Sequence, residues 1–94
     1  MASTINDFRP LVGSVVQIRV SKQALKDKKE GNDIKRTRDR IQQKGGSDGS
    51  FKVIKVAEGG ISTPKMMGHP CVQFESIDGK WWGWLRVEEI EIVR

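Results

Sequence analysis

Two groups of side chains in this sequence have the types and spacing to engage an anion. The first is a run of nine basic residues, Lys22, Lys26, Lys28, Lys29, Lys35, Arg36, Arg38, Arg40 and Lys44. Lysine and arginine neutralise phosphates and release the counterions condensed on them, and arginine adds a planar two-point contact. The second is D-G-K-W-W-G-W-L-R-V-E-E-I-E-I-V-R, residues 78–94, which holds all three tryptophans of the chain. Strand alternation separates Trp81, Gly83, Leu85 and Val87 from Trp82, Trp84 and Arg86. Leu85 and Val87 belong with a core, which puts Trp82 and Trp84 on the outer face and Arg86 between sheet and solvent. Two exposed indoles beside a guanidinium can stack on bases or form a hot spot for a protein. The plainer account is that they form the surface on which a long insert packs. A bulge at Gly83 would swap the faces that follow it.

The other chemistry-bearing residues do not assemble. His69 stands in a loop with no partner in view, and one histidine two residues from Cys71 is no metal site. Cys71, at a strand start, reads as a small, half-buried side chain and not as a nucleophile. Met66 and Met67 suit either an adaptable contact or a lid over one end of the fold. Glu88, Glu89 and Glu91, on a strand-turn-strand, point to different sides and read as solvated edge protection. Gly45-Gly46 and Gly59-Gly60 lack the helix and the Lys-Ser/Thr that a phosphate loop needs. No catalytic constellation, metal or cofactor is expected.

Charge and composition bound the rest. Ninety-four residues with 36% hydrophobic content make one compact domain with little room for a deep catalytic cavity. Between residues 22 and 44 the nine basic residues face four acids, so this stretch carries the chain's whole formal charge of +5 and the remainder is neutral. A neutral body with one basic excursion suits an anion-binding appendage; such a run can equally be a solvated loop. A single cysteine excludes an internal disulfide and fits a reducing, cytoplasmic setting. The first ten residues have no signal-peptide pattern, and no apolar run is long enough to span a bilayer.

Five segments read as strands. Residues 13–20 alternate, with Val16, Ile18 and Val20 facing in; residues 51–57 are β-branched; residues 70–77 place Val72 and Phe74 on one face. Asp78-Gly79 is the strongest hairpin signal, since a tight primed turn needs positive φ at both positions. Residues 80–87 answer across it, residues 87–89 make one tight turn, and residues 90–93 form a short last strand. Between the first two strands, residues 21–50 hold only Ala24, Leu25, Ile34 and Ile41 as apolar residues larger than glycine. Ser21 can cap a first helix closed by Gly31, and Ile34 and Ile41 can pin a second. Neither is stable alone, so this flexible insert is expected to stay mobile until it binds.

Five strands with a long loop after the first, a hairpin between the third and fourth, and the closing W-L-R-V-E-E-I-E-I-V resemble the Src-homology-3-like small barrel of the prokaryotic KOW and Tudor type. The resemblance covers residues 13–20 and 51–93 and rests on order and spacing. It implies an all-β fold in which residues 1–94 form one barrel with residues 21–50 as insert. The acidic loop and the proline-tyrosine platform of the peptide-binding members are missing, so recognition of proline-rich peptides does not carry over. The sequence therefore implies a non-catalytic binding module. Its expected partner is nucleic acid, DNA or RNA, held by the nine basic residues with Trp82, Trp84 and Arg86. The alternative partner is an acidic protein, docked by the same residues in an adaptor or inhibitor. No membrane and no small-molecule substrate are implied.

Overall fold

The computed structural model describes residues 4–22, 31–46, 49–64 and 66–93, with the side chains of residues 31–34 not described. In chain order these form α1 (Ile5–Phe8), a 3-10 turn (Arg9–Leu11), β1 (Val15–Val20), α2 (Gly31–Lys44), β2 (Ser50–Ala57), β3 (Cys71–Ser76), β4 (Trp82–Arg86), a second 3-10 turn (Val87–Glu89) and β5 (Ile90–Ile92). The five strands make one antiparallel sheet in the order β4-β3-β2-β1-β5. β1 serves two partners in succession. Its first half pairs with β2 through Val16↔Phe51, and its second half with β5 through Arg19↔Glu91. No ladder joins β4 to β5, so the structure shows a five-stranded antiparallel sheet and not the closure that a barrel requires.

Alternation sets what each strand buries. Val16 and Ile18 from β1, Phe51 and Val53 from β2, Val72 and Phe74 from β3, and Leu85 from β4 face one shared core, which Val87 and Ile90 complete. Phe51 lies 5.7 Å from Phe74 and 5.9 Å from Trp81, ring centre to ring centre, within the range of favourable aromatic pairs. Strand patterning predicts no element before residue 13, yet Phe8 at the end of α1 is fully buried, edge-on to Phe74 at 5.9 Å. The local signal is Thr4 with Asp7 three residues on. The Asp7 carboxylate accepts the Thr4 N–H at 2.8 Å, which starts the turn.

The hairpin between β3 and β4 lies where Asp78-Gly79 places it, but its loop is wider than a two-residue primed turn. The last paired residues are Ser76 and Trp81, joined by Ser76 N–H to the Trp81 carbonyl at 2.8 Å, and residues 77–80 cross the gap. The Ser76 hydroxyl accepts the Trp81 N–H at 3.0 Å and donates to Asp78 at 2.6 Å, while Asp78 also accepts the Lys80 N–H at 3.0 Å. Gly79 sits at φ +74°, where a β-branched residue is strained. Gly79→Val is therefore expected to cost roughly 1 kcal/mol or more, read as a lower urea midpoint with unchanged slope.

The Ser76 hydroxyl, helped by the Lys80 amide, holds the Asp78 carboxyl below its ordinary value. A carboxyl lowered by folding stabilises the fold above the ordinary carboxylate range, and that contribution is lost as pH falls through the lowered value. An NMR titration of Asp78 should end below the usual aspartate range, and Ser76→Ala should move it back up.

Of the basic excursion, residues 31–44 form a helix, and residues 23–30, where a first helix is expected, lie outside the described residues. Gly31, expected to close a first helix, is itself helical, within α2, of which 14 residues are described. Two residues one turn apart anchor it. Ile41 joins the core, and Thr37, which hydrophobicity does not flag, is buried with its hydroxyl donating to Glu89 at 2.9 Å. α2 packs against β1, with Arg40 over the Trp81 ring at 5.8 Å and Thr37 reaching Glu89 in the turn into β5. Lys26, Lys28 and Lys29, and the side chain of Ile34, lie outside the described residues.

Candidate nucleic-acid interface

Register decides what shares the outer face of the sheet. Trp82 lies beside Glu75, which lies beside Lys52; Trp84 lies beside Gln73, which lies beside Lys55; Arg86 lies beside Cys71. Trp82 and Trp84 thus face outward, Trp82 63% exposed and Trp84 half-buried, while Trp81 turns to Phe51. The β3–β4 register is regular at Gly83; the irregularity falls instead in β2, between Val53 and Lys55. It matters for the site. Lys52 and Lys55 are three residues apart and would face opposite ways on a regular strand. The extra residue at Ile54 turns both outward and brings the Lys55 ammonium 5.7 Å from the centre of the Trp84 ring. Neither lysine is among the residues expected from the sequence. Lys52 is recoverable by alternation, but nothing in the local sequence reveals the bulge that re-aims Lys55.

The basic residues of α2 separate by flank. Arg36 and Arg40, one turn apart, face β4, while Arg38 is about 200° around the helix from Arg36. Arg36, Arg40 and Trp84 line a cleft of about 140 Å³, together with Met66, Leu85, Thr37, Arg86 and Glu89. Arg36 and Arg40 are exposed on it, and its lining is mixed, with Trp84, Leu85 and Met66 beside Thr37, Arg86 and Glu89. Lys35, Arg38 and Lys44 are exposed elsewhere on the helix, and Lys22 is exposed after β1. The insert packs on Trp81 and walls one side of Trp84 but leaves Trp82 open.

Arg86 is not the solvent-facing contact expected from alternation. It is 6% exposed, and its Nη2 donates to Glu89 Oε1 at 2.8 Å, with Glu88 Oε1 at 3.7 Å from Nη1. The 3-10 turn is the cause, because it folds residue 89 back over residue 86 and closes an ion pair within the interior. Glu89 is 5% exposed and holds Arg86 with one oxygen and Thr37 with the other, so this carboxylate joins β4, its turn and α2. Glu91 is also buried, opposite Arg19, whose Nε donates to it at 2.8 Å. Of the three glutamates expected to be solvated edge protection, only Glu88 is exposed. It gives His69 a partner that the sequence does not show, with His69 Nδ1 at 2.8 Å. Cys71 is fully buried rather than half-buried, and burial pushes its thiol up.

Among the described residues, no group of three or more His, Cys, Asp or Glu is placed to hold a metal ion. Among them, too, no helix is long and apolar enough to cross a membrane. Comparison with protein families, with curated proteins and with solved structures finds no match.

Proposed function

We propose that this chain is a non-catalytic module that binds nucleic acid through a strip of cations and indoles running from Lys52 and Lys55 over Trp84 to Arg36 and Arg40. One observation carries the reading. Trp84 stands between two independent sources of positive charge, Lys55 from the sheet and the α2 arginines across the cleft. Cations interleaved with exposed aromatic faces suit a polyanion that also offers planar rings, because phosphates take the first and bases the second. Lys35 and the exposed end of α2 extend the charge along the backbone path, and Trp82 adds a second ring on the same face.

A Src-homology-3-like barrel is the finer fold class of the same proposal. The strand order β4-β3-β2-β1-β5 and the single 3-10 turn between β4 and β5 support it. The single cysteine, a free thiol, fits a cytoplasmic setting. The alternative, an acidic protein partner, draws on a different observation. Trp82 and Val15 are both exposed and lie on one outer row with Lys52 and Glu75 between them, a patch that protein contacts also favour.

The test is the salt dependence of affinity for labelled duplex and single-stranded DNA, read by fluorescence anisotropy. With about four to six phosphates neutralised, log affinity for the duplex should fall with log salt at a slope near about −4 to −5. No binding at low salt, or an affinity indifferent to salt, would remove the nucleic-acid reading.

A further inference from the structure

We propose that the cleft between α2 and β4 holds one unpaired nucleotide, its base against Trp84 and its phosphates on Arg36 and Arg40. The inference rests on the nucleic-acid reading above and narrows it to single-stranded substrate. The cleft joins exposed cations to an apolar patch. Two guanidiniums one helical turn apart, Arg36 and Arg40, are both exposed. The apolar part of the lining is Trp84, Leu85 and Met66. Among the described residues, the buried charges of the lining are those of Arg86 and Glu89, paired with each other at 2.8 Å, with the Thr37 hydroxyl donating to Glu89.

The apolar patch therefore offers little net charge to a bare phosphate, which gains most at the two exposed guanidiniums. A flat, weakly polar ring gains most against the indole and the two aliphatic side chains. The cleft, about 140 Å³ and open to solvent, can admit the ring of one base while its sugar and phosphates stay outside. A base within a duplex cannot enter it, since there the base faces are covered and only their edges are open to protein. An acidic peptide would satisfy the arginines yet leave the ring site without a flat partner, and nucleic acid is favoured for that reason. Lys55, at the Trp84 ring, adds a cation where the backbone of an adjoining nucleotide leaves the cleft.

The experiment compares three probes of equal length at low salt: oligothymidine, an abasic deoxyribose-phosphate strand and polyglutamate. The abasic strand keeps the phosphates and removes the rings. Oligothymidine should bind about 10-fold more tightly than the abasic strand, in the range of stacking one base on an aromatic side chain. Trp84→Ala should erase the difference between the two strands, and Trp84→Phe should keep part of it. Equal affinity of the unaltered protein for both strands would overturn the nucleotide site while leaving phosphate binding in place. No affinity for either strand would overturn both readings, as would polyglutamate binding as tightly as oligothymidine. The comparison on the unaltered protein stands even if Trp84→Ala fails to fold.

Discussion

Glu89→Ala should destabilise the domain by about 3–5 kcal/mol, the usual cost of removing one partner of a buried ion pair. A chain of this size has roughly 5–15 kcal/mol in all, so the variant should be partly unfolded at moderate temperature. The loss is large because one carboxylate serves two partners, Arg86 on β4 and Thr37 on α2. Its removal leaves a guanidinium in the interior short of its nearest counter-charge and frees the anchor that holds α2 to the sheet. Urea unfolding followed by tryptophan fluorescence measures it. Replacing all three polar partners together, Arg86→Met and Glu89→Leu with Thr37→Val, should recover most of the stability, since matched apolar groups remove the desolvation cost along with the pair and its hydroxyl partner. A loss under about 1 kcal/mol for Glu89→Ala would mean that the ion pair does not hold the helix.

Charge reversal at Lys35, Arg36, Arg38 and Arg40 together should abolish most nucleic-acid affinity and leave the fold intact. All four are exposed, and α2 is anchored instead by Thr37 and Ile41. Every phosphate that is no longer neutralised takes about 0.9 off the slope of log affinity against log salt. Reversal at Arg36 and Arg40 also places carboxylates beside the phosphate path, so most of the slope should go. Because Arg38 lies on the far flank of α2 from the cleft, reversing it alone should matter less than reversing Arg36 or Arg40. Circular dichroism and the urea midpoint check the fold in the same preparations. Undiminished affinity in the fourfold variant would place the nucleic acid elsewhere on the surface.

The strands were legible because alternation is a local property. Val16 and Ile18, Val72 and Phe74, and Leu85 each declare a face within a few residues, and the sheet obeys them. The same rule placed Trp82 and Trp84 outside and failed for Arg86, where a tertiary turn brings Glu89 back upon the side chain. The hairpin was legible in position but not in width. Gly79 supplies the positive φ, while Ser76 and Asp78 stretch the loop by capping it with side chains, a choice that rests on hydrogen bonds between non-adjacent residues. The hold of α2 on the core was only half legible, because among the described residues it rests on one isoleucine and one threonine, and the threonine counts only once Glu89 is across from it. Lys55 could not be read at all, since a bulge changes the face of every residue beyond it without a composition of its own. The candidate site is thus half sequence and half register: its tryptophans and arginines are visible in the chain, and their meeting at one cleft is not.

Nucleic acid is proposed to bind where Lys55, Trp84, Arg36 and Arg40 meet. An NMR titration of the labelled protein with oligothymidine at low salt tests this most directly, because the three indole N–H signals report three distinct positions. Trp84 should shift most, Trp82 less, and Trp81, packed behind Arg40 on Phe51, least. Backbone amides of Lys55, Arg36 and Arg40 should move with Trp84, while those of Arg19 and Glu91 across the β1–β5 ladder stay in place. Shifts confined to the β1–β5 side, or no shift at any strand concentration, would contradict the account.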